Sequence, residues 1–560
     1  MAIEFDNDLN PSVDDFVSVL RGTKDEDGHL TSASSAGVYP VSELIEKVGE
    51  EIGLDDKIDK TSIADDLVTD DSTKVLSAKK GKLLKDAQDA VKGTGWTDEN
   101  LVDHETRIES LDARIVDVEA HVYGLDFNET TGVSTRLLDA VGKTISSPNG
   151  TTAITSDFDN IYPWSEMRHV KVNMDGVRKE QMEDDYDSFD GEIMTVIPRF
   201  YYKDYRSDGH RYMYISDKKK AGFTLREESL IASFPASKVG TEYRSRVGEA
   251  PKTNESYATF IQGFYAQGDG NWSMYDCLHA LVLLTCIEAG TMNHKGAYGR
   301  GINSGMPYGS SGYDIKTATT DANTVDVDSS KPYYVGMTVQ IGTAYSNNSI
   351  AQNRLITDIT NNGDGTQTLT VDGDIFSVSI GDTCVTWGQS VPQSQFDTIG
   401  DGSGYILQHE SENRSHVCYR GIWNLWGNVW QFYAGFMRYD GRYYGCTDAT
   451  KYNVTDPRGA DGWVDLGIGD YADNGYQQVR EAIEIEGGMI DVPITWGATA
   501  GSETYYSAYL YNFSSAYSGT RVLLLGGFWN LGGVVSLVYS SGYYSPSYAS
   551  VYVGSRLIRS

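Results

Sequence analysis

Three tryptophans fall within eight residues of one block, Gly421-Ile-Trp-Asn-Leu-Trp-Gly-Asn-Val-Trp-Gln-Phe. Rings of this size carry large apolar surfaces, so Trp423, Trp426 and Trp430 call for a core built around this short stretch. Gly427 allows a tight backbone turn between them, and Asn428 is suited to bridging the backbone of adjoining loops. A second block, Leu523-Leu-Leu-Gly-Gly-Phe-Trp-Asn, places Trp529 nearby and leads to Val553-Gly-Ser-Arg-Leu, with Arg556, at the C-terminal end. From about residue 157 onward aromatics are dense, glycines frequent and helical patterns few. Glycine numbers 59 of 560 residues and tyrosine 38 against 16 phenylalanines, with only 13 prolines. That balance suits short strands, many turns and an aromatic-rich surface, and it argues against a disordered chain.

At roughly 150 residues per domain, the length implies three or four folding units. Residues 1–150 are polar and acidic, with apolar positions spaced for helices. Leu101, His104, Ile108, Leu111, Ile115, Val118, Val122 and Leu125 are separated by alternating gaps of three and four. That is a heptad seam, with Glu105, Arg107, Glu109, Asp112 and Arg114 on the other faces. A lone helix cannot bury such a seam, so it predicts a homo-oligomeric coiled-coil stalk over 98–150, ending in a linker around Ser146-Ser-Pro-Asn-Gly-Thr-Thr. Upstream, Ser77 is placed to cap a helix from Ala78 to about Val91.

Further along, Gly191–Lys203 reads as a strand and its continuation. Asp276–Gly290 reads as one buried helix stopped by Gly290, with His279 as a satisfied core histidine. Residues 317–391 have the alternation of a separate small β module: Val335, Met337, Val339 and Ile341 in one run, Leu369 and Val371 in another. Asn361-Asn-Gly-Asp-Gly-Thr is the turn between two such runs. Its Asp-Gly turns do not match the ligand spacing of a calcium loop.

A formal charge of −33, from 46 basic and 79 acidic residues, disfavours nucleic acid and anionic membrane surfaces as partners. The acidic start lacks the basic region of a secretory signal, and the longest apolar run, Ala280 to Ala289, is too short to cross a bilayer. The expectation is therefore synthesis in a cytoplasm and no membrane insertion. Five cysteines (277, 286, 384, 418 and 446) without CxxC spacing read as reduced core thiols.

Two resemblances follow from these motifs. Residues 64–84, Ala-Asp-Asp-Leu-Val-Thr-Asp-Asp-Ser-Thr-Lys-Val-Leu-Ser-Ala-Lys-Lys-Gly-Lys-Leu-Leu, resemble a short element common in phage tail fibres. The Trp block, the Gly526-Gly-Phe-Trp strand and the terminal Gly554-Ser-Arg resemble the C-type-lectin-like fold of the formylglycine-generating-enzyme superfamily, closest to phage tropism determinants diversified by retroelements. Gln431-Phe432 stands where that family usually has Glu-Trp. The resemblance implies an α+β chain: an N-terminal tail-attachment and helical region (1–97), a coiled-coil stalk and linker (98–150), and a C-type-lectin-like receptor-binding domain (151–316 and 392–560) interrupted by the β insert (317–391). It also implies a homotrimeric tail-fibre tip on the virion, docked onto tail or baseplate proteins through its N-terminus.

The segment 528–552 is where that family varies. It holds Tyr539, Tyr543, Tyr544, Tyr548, Tyr552 and six serines, with no charged residue. Tyr, Ser and Gly make up antibody paratopes, where rigid rings supply contact area at low entropy cost. The resemblance marks Phe528, Asn530, Leu531, Val534, Ser541, Tyr543, Tyr544, Tyr548, Ser550 and Tyr552 as variable, receptor-binding positions. Tyr505, Tyr509 and Tyr511 share one face of a neighbouring stretch and are a possible extension. The expected partner is a bacterial surface receptor, protein or glycan, with no cofactor and no metal.

An enzyme is the competing class. Formylglycine-generating members use cysteines near the C-terminal end, and none follows Cys446 here. A polysaccharide depolymerase would need two carboxylates about 5–10 Å apart, and no spacing singles out a pair among Glu410, Glu412, Asp440, Asp470 and Asp473. The sequence thus favours a binder over a catalyst.

Overall fold

The structure is a computed structural model describing residues 2–4, 16–24, 30–40 and 120–559, apart from 310, 410, 470–474, 477–478, 486–487, 495–508 and 512–517. The chain divides into two compact units, Met1–Arg107 and Ile108–Ser560. In the first, Ala2–Glu4, Phe16–Lys24 and Leu30–Pro40 form an antiparallel sheet. The second is built mainly of strands. Among the described residues its α-helices are four: α1 (Tyr257–Tyr265), α2 (Leu278–Ala289), α3 (His294–Tyr298) and α4 (Gln393–Ile399).

This overturns the expected α+β chain headed by a helical stalk. The last two seam positions, Val122 and Leu125, lie in the strand Val122–Asn128, which pairs along its whole length with His210–Ser216. In Val122-Tyr-Gly-Leu-Asp-Phe-Asn the buried Tyr123, Leu125 and Phe127 alternate with a glycine and the half-buried Asp126. That is a period of two, and sheet pairing on both sides, with Ser134–Leu138 as the second neighbour, decides in its favour. The rest of the seam, from Leu101 to Val118, and the Ser77-capped helix lie outside the described residues. The supposed linker is an ordered turn: Asn149 Oδ1 accepts from the backbone N–H groups of Thr151 and Thr152 at 2.8 and 3.0 Å. Leu407 N–H then donates to the Gly150 carbonyl at 2.6 Å.

The chain's C-terminal strand, Leu557–Arg559, does not sit at an edge. It lies between Ser229–Ala232 and Trp272–Met274 in a six-stranded sheet that continues through Glu192–Ile197. α2 is buried along nearly its whole length and ends at Gly290 in the left-handed conformation (φ 69°). Residues 317–391 form a five-stranded antiparallel sheet with the hairpin Ala351–Asn361/Thr366–Val371, plus the short pair Thr319–Ala322/Phe376–Val378. Its apolar core runs without a break into Val429, Trp529 and Val551, so this sheet packs directly against the C-terminal segment.

The Trp block joins four apolar clusters. Trp426 belongs to the one around α2, Trp430 and Phe432 to the one around α1, Val429 to the 317–391 core, and Trp423 to a small cluster with Phe234 and Ile399. Gly427 (φ 74°) is required because a Cβ there would stand 2.5 Å from the Ile302 carbonyl oxygen. Asn428 meets three loops. Its Oδ1 accepts from Gln389 N–H (2.7 Å), its Nδ2 donates to the Gln389 carbonyl (2.9 Å), its N–H reaches the Ile302 carbonyl and its own carbonyl accepts from Trp529 N–H.

Candidate functional site

The strand Trp430–Tyr439 carries both ends of the C-terminal segment. Leu525 lies opposite Gln431 on one side in antiparallel register, and Gly554 lies opposite the same residue on the other side in parallel register. Residues between them form a long excursion that starts and finishes at one point of the scaffold.

The excursion is fastened through its backbone. Trp529 is fully buried, Gly532 N–H donates to the Asn303 carbonyl (2.7 Å), and Val522 N–H donates to the Tyr544 carbonyl (2.9 Å). Asn254, Ala258 and Trp430 donate from their N–H groups to the carbonyls of Ser550, Pro546 and Tyr552. Helix α3 adds two contacts: Lys295 Nζ donates to the Gly533 carbonyl (2.5 Å), and His294 Nε2 accepts from Leu537 N–H (2.9 Å). Tyr539 is buried and stacks on Trp430, with centroids 4.9 Å apart.

With the backbone held, the side chains sort into two sets. Val535 to Ser540 and Val551 face inward. Phe528, Leu531, Val534, Tyr543, Tyr544, Tyr548, Ser550 and Tyr552 are half-buried, and Asn530 is exposed. The half-buried rings touch in series. Tyr543 meets Tyr544 edge-on (5.0 Å), Tyr544 stacks on Tyr548 (3.9 Å), the Tyr548 and Tyr552 hydroxyls lie 2.6 Å apart, and Tyr552 stacks on Phe528 (4.6 Å). Tyr308 closes the row, edge-on to Phe528 at 6.2 Å and to Tyr552 at 6.5 Å. Burial and the neighbouring Tyr552 hydroxyl push the Tyr548 phenol up to about 12, and burial raises that of Tyr308, so these rings are neutral at ordinary pH.

Ser541 departs from the expected set. It is 1% exposed because Ser540–Ser541 is a strand between Thr520–Leu525 and Tyr509–Tyr511. That pairing brings the backbone of Tyr509 and Tyr511 beside the segment, while Tyr505 lies outside the described residues. Tyr308, His294 and Lys295 had no signal in the sequence, because each reaches the segment across more than two hundred residues. Of the acidic residues weighed for hydrolysis, Glu412 accepts from Arg300 N–H (2.9 Å) and Asp440 from Gly519 N–H (2.5 Å). Both act as loop fasteners. Glu410, Asp470 and Asp473 lie outside the described residues. Among the described residues no cluster of three or more His, Cys, Asp or Glu side chains is arranged to hold a metal ion.

The His294 anchor has a pH consequence. Burial, with the Lys295 ammonium adding to it, pushes the His294 imidazole down to about 3, and burial pushes that of His416 down to about 4. Both rings are neutral when folded, whereas an unfolded chain takes up their protons below about pH 6.5. Their contribution is therefore complete above that pH and is lost as pH falls toward the folded values, by about 2 kcal/mol each at pH 5. The melting temperature should drop between pH 7 and 5, and His294→Gln, which keeps an acceptor for Leu537, should flatten the curve. An unchanged slope in that variant would exclude His294 as a source.

Compared with protein-family models and with curated proteins, the chain matches none of either.

Proposed function

We propose that this chain is a phage tail-fibre receptor-binding protein that recognises a bacterial surface molecule through residues 528–552. One observation carries the reading: a contiguous, uncharged row of half-buried rings stands on a backbone held from many sides. Binding surfaces that use tyrosine work this way, because rings already fixed in place lose little freedom on contact. The rings stack on a sugar face or on apolar protein surface, and Asn530 and Ser550 supply hydrogen bonds at the rim. Several copies on one particle supply avidity to a weak individual contact. The 64–84 element supports attachment to the tail through the N-terminal unit.

The test is competition. Purified full-length chain should block phage adsorption to a susceptible strain, and a version with Phe528, Tyr543, Tyr544, Tyr548 and Tyr552 changed to serine should not. Equal blocking by both proteins would move recognition elsewhere on the molecule.

A further inference from the structure

A concave site lies at the N-terminal end of α2 and shares no lining residue with 528–552. Its cavity of about 250 Å³ is lined by Tyr202, Arg226, Asp276, His279, Tyr433 and Tyr452, among others. This is smaller than the ~300–1,000 Å³ of drug-sized pockets, so it admits one ring-sized unit.

The polar groups of the cavity are held in place by their neighbours. The Asp276 carboxylate accepts from the Tyr452 hydroxyl (3.1 Å) and from its own backbone N–H. The Asp276 backbone is fixed by the Tyr433 hydroxyl, which donates to its carbonyl (2.7 Å). Arg226 is turned toward Ser229 Oγ (2.7 Å) and the Glu227 carbonyl (2.6 Å), and makes no ion pair with Asp276. His279 is oriented from behind: its Nε2 lies 3.0 Å from Asp204, itself clamped by Nε and Nη2 of Arg211 at 3.0 and 2.6 Å. Its ring stands edge-on to Tyr202, 5.0 Å away. Burial raises the Asp276 carboxyl to about 6, against the pull of the Arg226 charge and the Tyr452 hydroxyl.

These features narrow the ligand by elimination. An anion would meet Asp276, and a cation would meet Arg226. An apolar molecule would cut both charges off from water without replacing its hydrogen bonds. A neutral molecule carrying several hydroxyl groups satisfies all three constraints: it donates to the Asp276 carboxylate, accepts from the guanidinium and lays its C–H face on a tyrosine ring. We propose that this cavity is a binding site for a single neutral sugar residue, with Asp276 and Arg226 fixing its hydroxyls.

The experiment is calorimetric titration of the full-length chain with the methyl glycosides of glucose, galactose, mannose, rhamnose and N-acetylglucosamine. At least one should bind with a Kd of about 1 mM, which is what about twelve heavy atoms deliver at ordinary ligand efficiency. Asp276→Asn and Arg226→Met should each weaken it by about tenfold or more, the loss of one charge-assisted hydrogen bond. Melting curves show whether each variant is folded, and either variant alone is enough for the comparison. Absence of binding by all five glycosides overturns the proposal, as does binding that survives in a folded Asp276→Asn or Arg226→Met protein.

Discussion

Changing Tyr544 and Tyr548 together to alanine is expected to cut adsorption by at least about 100-fold while leaving the protein folded. The two rings form the tightest stack in the row, with centroids 3.9 Å apart, and they connect Tyr543 to Tyr552 and Phe528. Central aromatic anchors of this kind contribute about 2 kcal/mol or more each to a contact, and every 1.4 kcal/mol is tenfold in affinity. The cost to folding is smaller, because both rings are half-exposed and their stacking adds about 0.5–1.5 kcal/mol beyond burial. The backbone bonds at the Tyr544 and Pro546 carbonyls do not need the side chains. Tyr548→Phe separates ring from hydroxyl: it keeps the stack, loses the bond to Tyr552 and should cost no more than about tenfold, the worth of one neutral hydrogen bond. Adsorption unchanged in the double variant would end the reading of this row as the recognition surface. A melting temperature lowered as far as that of a core substitution would mean that the rings are structural.

Much of the site's position was legible, and the reason is local. The Trp block and Gly526-Gly-Phe-Trp, which is a turn following the strand Thr520–Leu525 and not a strand itself, announce themselves through residue types that only a few backbone geometries tolerate. Gly427 shows this directly, since the Ile302 carbonyl occupies the space of a side chain there. The 276–290 helix was readable from its apolar run and its Gly290 stop, and the 351–371 hairpin from its Asn-Gly-Asp-Gly turn. What was illegible depends on long-range pairing. Val122 and Leu125 satisfy a heptad and a strand equally well on paper, and the neighbouring strand 210–216, some ninety residues away, decides between them. Ser541 has the composition of an exposed position, yet two flanking strands bury it. The Asp276 cavity is invisible for the same reason, since Arg226, Asp276 and Tyr452 meet only when three distant segments come together. His279 was readable as a satisfied histidine, but its partner Asp204 was not.

Arg556 is expected to be the most damaging single position to change, and lysine should be no substitute for it. Its side chain is fully buried and donates to four acceptors: Gln431 Oε1 (2.8 Å) and the carbonyls of Ala232 (2.6 Å), Trp423 (2.5 Å) and Asn424 (3.2 Å). All four are neutral, and burial lowers the guanidinium to about 10. The planar fork is what allows one side chain to reach three segments at once, and a lysine ammonium donates from a single point. Removing the fork strands buried acceptors at about 1–3 kcal/mol each, a sum comparable with the 5–15 kcal/mol that holds a typical protein folded. Arg556→Met and Arg556→Lys should therefore both lower the melting temperature steeply, or leave the protein aggregated. Functionally the clamp matters because Gln431, which it grips, is the residue opposite both Leu525 and Gly554. Loosening it frees both ends of the 528–552 segment, so on the proposed function adsorption and stability should fall together. The Tyr544/Tyr548 variant should separate them. An Arg556→Lys protein that melts within a few degrees of wild type would show that charge alone, without the fork, is enough to hold the segment in place.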